Sequence, residues 1–111
     1  MSAKSQAKLL IREGTLQFNL AIDDIVYLQA DHVYVRIYLR NEQCILIRNS
    51  LTWLIGRLPA DRFVQVHRSY AVNLTLVTRW SRQSVFLHTR EIPVSRSRQK
   101  EVNELLYAYR D

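Results

Sequence analysis

Residues 33–39 alternate without a break: Val33, Val35, Ile37 and Leu39 are apolar, while Tyr34, Arg36 and Tyr38 carry polar atoms. A period of two sends successive side chains to opposite faces, so this segment is the clearest predicted strand. Before it, Asp31-His32 marks a break, and residues 25–30 form an apolar run that reads as a buried strand. After it, Arg40-Asn41-Glu42 is a turn, and residues 43–48 return as the hairpin partner. Cys44 lies in the apolar stretch of that partner and is expected to be a buried thiol rather than a nucleophile. Nearer the N-terminus, residues 8–20 predict two short strands around Glu13-Gly14, with Leu16, Phe18 and Leu20 on one face of the second.

The period then changes. Leu51, Leu54, Ile55 and Leu58 recur at helical spacing, Asn49 or Ser50 can cap the N-terminus, and Pro59 stops the segment. Trp53 is placed in the core with Leu54. Strands are expected at 63–66 and 71–74 around His67-Arg68-Ser69-Tyr70, and at 77–80 and 84–88 around Ser81-Arg82-Gln83. A last strand at 91–94 contains Pro93, which suits a sheet edge. Ser95 can cap a closing helix over 96–109, whose Val102, Leu105, Leu106 and Tyr109 form an apolar stripe. The predicted fold class is mostly β: an elongated arrangement of small antiparallel sheets with one short internal helix and one C-terminal helix. The 111 residues suit one domain. It is bounded as an N-terminal segment and first strand at 1–14, the domain at 15–108, and an end at 109–111.

Charge adds a second constraint. Sixteen Lys and Arg oppose ten Asp and Glu, and thirteen of the sixteen are arginines. A solvated surface is served equally by Lys, whereas the planar guanidinium fork suits phosphate oxygens and guanine edges. Between Arg62 and Arg98 the only acid is Glu91, against seven arginines. That bias points to a polyanionic partner.

Enzyme chemistry finds little to work with. His32, His67 and His88 are widely spaced, two glycines cannot build a phosphate loop, and one cysteine excludes a Cys-rich zinc site. No catalytic residue, metal or cofactor is expected. No stretch approaches the roughly 18 apolar residues of a membrane span, and the first residues lack an apolar signal core, so a cytoplasmic protein is expected.

Two segments stand out instead. In Phe63-Val-Gln-Val-His-Arg-Ser-Tyr-Ala-Val-Asn73, apolar anchors hold a polar turn that can present donors to a phosphate or base edge at little entropic cost. Within it His67 reads as a buried, hydrogen-bonded strand end, and Ser69 and Asn73 can bond their own backbone. Arg68 has few structural jobs in such a turn. In Ile92-Pro-Val-Ser-Arg-Ser-Arg-Gln-Lys100, three cations crowd the first turn of a helix, against the macrodipole. A bound phosphate removes that conflict.

These segments also resemble one family. Ile25-Val-Tyr-Leu-Gln-Ala with Tyr34-Val35, then Ser50-Leu51 with Leu54, Leu58 and Pro59, then Val66-His-Arg-Ser-Tyr70 with Asn73, then Ile92-Pro-Val-Ser-Arg96 are together similar to the LytTR-type DNA-binding domains of bacterial response regulators. The resemblance runs from residue 15 to about 106. It implies double-stranded DNA as partner, read by loops that enter successive major grooves, touch the minor groove between them and bend the duplex. It implies short direct repeats as targets, two protomers per site, and a receiver domain or sensor partner outside this chain. By position it implies base-reading loops at Asp31-His32-Val33, at Arg68 with Ser69, and at Arg96-Ser97-Arg98. Val33 stands where many members carry Asn, and Gln65 replaces a frequent basic residue. The full candidate set for DNA contact is His32, Arg48, Arg68, Ser69, Ser95, Arg96, Ser97, Arg98 and Lys100. Two alternatives remain open from the residues alone. One is an RNA-binding β-module using Tyr34 and Tyr38 as a stacking face; the other is a charge-driven protein-interaction module.

Overall fold

The structure is a computed structural model that describes residues 7–109; expectations that fall on residues 1–6 and 110–111 lie outside the described residues. Strands β1 (Lys8–Glu13) and β2 (Leu16–Ala21) form a hairpin, turned by Gly14 at φ 59, a left-handed conformation that costs glycine little. Strands β3 (Ile25–Asp31), β4 (Tyr34–Leu39) and β5 (Cys44–Ile47) follow as an antiparallel meander. Helix α1 (Leu51–Ile55) comes next, and Ser50 caps it by accepting from the Trp53 N–H. The hairpin β6 (Phe63–His67) and β7 (Tyr70–Asn73) then docks on the free edge of β3, giving a five-stranded sheet in the order β5-β4-β3-β7-β6. Strands β8 (Arg79–Trp80), β9 (Ser84–Leu87) and β10 (Arg90–Pro93) make a third, smaller sheet, with Pro93 on an edge strand as expected. A 3-10 turn at Arg96–Arg98 leads into helix α2 (Gln99–Tyr109). The fold is mostly β with small antiparallel sheets and a C-terminal helix, measuring 42 × 42 × 24 Å.

The central sheet is covered on both faces. On one side Leu28, Val35, Ile37 and Ile47 meet Leu9 and Ile11 of the first hairpin and Leu51, Leu54 and Leu58 around α1. On the other, Val26, Tyr27, Val66 and Val72 meet Val85, Leu87 and Ile92 of the small sheet and Val102 and Leu106 of α2. Burial on both faces explains why β3 reads as a continuous apolar run instead of alternating. A register shift between Ile25 and Tyr27 adds a bulge. It places Val26 and Tyr27 both toward the second core while Ile25 and Leu28 serve the first. Each fully buried aliphatic side chain here contributes about 1.5–3 kcal/mol.

Some expectations fail, for a shared reason. Cys44 is exposed rather than buried, because it faces the side of edge strand β5 that the small sheet does not reach; its neighbours Ile45 and Ile47 supply the packed face. Trp53 is 39% exposed and lies under Arg57, whose guanidinium is 5.2 Å from the ring, so Leu51 and Leu54 carry the helix contact without it. Leu16 and Tyr109 are exposed as well, on the outer hairpin and the last turn of α2. Hydrophobic period identifies a face; it does not say how far the covering layer extends. Ser95 sits at the N-cap position but makes no side-chain cap hydrogen bond.

Candidate nucleic-acid interface

Antiparallel topology puts the β3–β4 and β6–β7 turns at the same end of the central sheet, and because Gln29 pairs with Tyr70 they are neighbours. One backbone bond joins them directly: the Ala30 N–H donates to the Ser69 carbonyl at 2.8 Å. In the first turn His32 takes φ 58, which lifts its side chain clear of the sheet, 92% exposed. The neighbouring Val33 is also exposed. Asp31 is committed to Arg36, whose Nε and Nη2 both lie 2.8 Å from Oδ2; that hydrogen bond, first among several influences, raises the guanidinium pKa above its ordinary value.

The second turn is held by its own polar groups. The Ser69 N–H donates to Nδ1 of His67 at 3.1 Å, which requires a lone pair on that nitrogen. Gln65 donates through Nε2 to the Arg68 carbonyl at 3.4 Å, so its side chain buttresses the turn. His67 packs edge-on against Tyr70, with ring centroids 5.7 Å apart. With the backbone tied at three points, the exposed Arg68 side chain projects from a pre-ordered turn. Asn73 is used structurally: it is fully buried, donates to the Ile25 carbonyl and accepts from the Thr75 N–H and hydroxyl.

Beneath the turns, polar aromatic side chains cross-link the strands. Tyr38 donates to Oε1 of Gln29 at 3.3 Å, Gln29 donates to the Tyr70 hydroxyl at 3.2 Å, and Tyr38 stacks on Tyr27 with centroids 4.3 Å apart. Burial, ahead of the opposing charge of Arg90, pushes the Tyr27 hydroxyl up to about 12. Tyr38 is therefore occupied by Tyr27, and the guanidinium of Arg48 lies 5.9 Å from the centroid of the Tyr34 ring. The face expected to offer Tyr34 and Tyr38 for stacking does not present them as an open row.

Arg48 reaches this end because Ile47 pairs with Val35 at the start of β4, and its N–H is fixed by Glu13 Oε2 at 3.0 Å. The last segment arrives through the β6 bulge. The register shift between Gln65 and His67 leaves the Val66 carbonyl free of the ladder, and the Ser95 N–H takes it at 2.8 Å. Arg96–Arg98 is thereby anchored beside the β6–β7 turn, with Arg96 and Ser97 exposed and Arg98 half-buried. Ser95 behaves differently from the rest: its hydroxyl is buried without a hydrogen-bond partner, and its contribution is the backbone tie. Lys100 lies one turn further on. With Arg96, Gln99 and Asn103 it borders an open hollow of about 610 Å³ whose far side is Arg82.

The structure thus brings His32, Arg48, Arg68 and Ser69 to one sheet end, with Arg96, Ser97 and Arg98 beside them and Lys100 on the flank. Arg82 was not among the sequence candidates. Its residues read only as a hairpin turn, and nothing local shows that the hairpin points this way.

Known proteins share this fold. The family model described as the LytTr DNA-binding domain matches residues 16–107. The transcriptional regulatory protein YpdB of Escherichia coli is 32% identical over 93 residues, covering 78% of this chain and 38% of that protein. An uncharacterized response regulatory protein of Vibrio cholerae is 28% identical over 88 residues, covering 72% of this chain and 34% of its own length. The chain thus spans well under half the length of these relatives. Among solved structures, the LytTr DNA-binding domain of a methyl-accepting/DNA response regulator from Bacillus cereus superposes with a TM-score of 0.73 at 19% identity, over 92% of this chain and 98% of that one. From its matched residues and its fold, this chain belongs to the LytTR family of DNA-binding domains.

Proposed function

We propose that the domain binds double-stranded DNA sequence-specifically and regulates transcription, working in the cytoplasm as the output part of a longer response regulator. The turns at one end of the central sheet enter the DNA. His32 and the pair Arg68 and Ser69 face base edges, as do Ser97 and Arg98, while Arg48, Arg96 and Lys100 hold phosphates. Ser95 acts from behind by fixing the backbone of this last segment. The duplex bends to meet turns separated across the sheet end, and two protomers occupy a pair of short direct repeats. A receiver domain or a sensor partner lies outside these residues. One observation carries the reading: four segments distant in sequence converge at one end, and the guanidinium groups they bring, of Arg48, Arg68, Arg96 and Arg98, form no ion pair among the described residues. Pre-ordering leaves little conformational entropy to lose on binding.

Selection from a random duplex library tests it. Wild-type protein is expected to enrich one short motif, retained against nonspecific competitor, and Arg68→Ala is expected to lose about 1–3 kcal/mol on that motif with preference relaxed at one base position. Uniform, salt-sensitive binding to every sequence would overturn base reading; competition by an acidic protein but not by duplex would overturn DNA altogether.

A further inference from the structure

We propose that the hollow between the β8–β9 turn and the start of α2 is a phosphate seat, with Arg82 as a DNA-backbone contact that the sequence does not reveal. The inference rests on the function proposed above and adds a second arm to it. Topology sets the position. Ser84 pairs with Pro93, and the Val94 N–H donates to the Gln83 carbonyl at 2.9 Å. The next residue, Ser95, is tied to Val66 beside the β6–β7 turn. Two consecutive backbone bonds therefore lock the β8–β9 turn to the same end of the molecule as Arg68.

The turn is itself pre-ordered. Ser81 accepts through Oγ from the Gln83 and Ser84 N–H groups, and its own N–H donates to the Ser84 carbonyl. Arg82 stands exposed at its tip and borders the hollow opposite the segment that carries Arg96, Gln99, Lys100 and Asn103, the last accepting through Oδ1 from Trp80 Nε1 at 3.0 Å. None of the three cations has an ion-pair partner among the described residues, where the ion pairs join Asp31 to His32 and Arg36, and Asp23 to Arg62. Glu91, the acid nearest to Arg82 along the chain, is engaged with the Ser84 hydroxyl at 2.7 Å, and Glu101, which follows Lys100, forms no ion pair among the described residues. Three like charges on two separately anchored segments repel one another, and an anion between them removes the repulsion. The lining has no hydrophobic side chain to grip a base or an aromatic ligand. An oxyanion of the DNA backbone fits this chemistry, and the contact is blind to sequence.

The test is the salt dependence of binding, measured for wild type, Arg82→Gln and Lys100→Gln on the selected motif and on unrelated duplex. Each substitution is expected to weaken both DNAs alike and to lower the slope of log affinity against log salt by about 0.9. A fourfold rise in salt then costs the variant about 3.5-fold less affinity than it costs wild type. Melting temperature should stay at the wild-type value, because Arg82 makes no hydrogen bond or ion pair within the described residues. An unchanged slope with wild-type DNA binding intact would overturn the seat and leave the function standing; a loss confined to the selected motif would make Arg82 a base reader instead. Absence of duplex binding by wild type would overturn both.

Discussion

The two ends of the central sheet use arginine in opposite ways. At the end formed by the start of β3 and the β4–β5 turn, Arg62 is ion-paired with Asp23, and Arg40 donates from Nε to the Asp23 carbonyl and from its backbone to the Asp24 carbonyl. These cations brace the fold. At the other end the guanidinium groups of Arg48, Arg68, Arg96 and Arg98 form no ion pair among the described residues, and Arg36 is the one that Asp31 takes. Charges left unpaired at a rigid end gain nothing for folding, since like charges repel. The count of arginines is therefore a poor guide to function, whereas their pairing is a good one.

Three substitutions test the contrast between the two ends. The largest effect is expected at the braced end, for Asn73→Ala. It strands the buried Ile25 carbonyl and frees the Thr75 N–H, and should lower stability by about 3 kcal/mol in denaturant unfolding. Protein that remains folded should bind DNA as wild type does; a specific binding defect would show that the braced end also reads DNA. Next comes Arg98→Ala at the open end, expected to cost about 1–3 kcal/mol on the selected motif. Less loss on random duplex would mark base reading, and equal loss on both would leave Arg98 a phosphate role. Because Arg98 is half-buried, its melting temperature is the control: a fall there would place it with the bracing arginines. The smallest is Arg62→Ala, which removes a partly exposed ion pair and should cost about 1 kcal/mol of stability with unchanged salt slope on DNA. A reduced slope would erase the distinction between the ends.

Local chemistry was legible in the sequence and coverage was not. The alternation through Val35 and Ile37, the Ser50 cap, the turn at Arg68-Ser69 and the edge position of Pro93 all follow from near-neighbour rules, and the structure has each. The motif-bearing segments at Val66–Tyr70 and Ile92–Arg96 were visible for the same reason. Trp53 and Cys44 were misplaced because burial depends on the lateral reach of a neighbouring layer, and no period encodes that. Arg82 was invisible because its position depends on two long-range backbone bonds, from Val94 to Gln83 and from Ser95 to Val66. The bulge that frees the Val66 carbonyl for the second of these leaves no trace in residue type.

The pairing of β3 with β7 has a kinetic consequence. On one edge β3 meets β4 across a short turn; on the other, Tyr27 must find Val72 and Gln29 must find Tyr70. Hairpins of the first kind close in microseconds, while a ladder that spans so much chain must first overcome the entropy of closing the loop. The two turns that carry His32 and Arg68 belong to separately formed hairpins and become neighbours only when that long ladder zips. The amide of Ala30, which donates across the junction to Ser69, is the natural reporter of the event. Its protection from solvent exchange and the competence of the domain to hold DNA should arise in one step, late in folding, and be lost together when the junction opens.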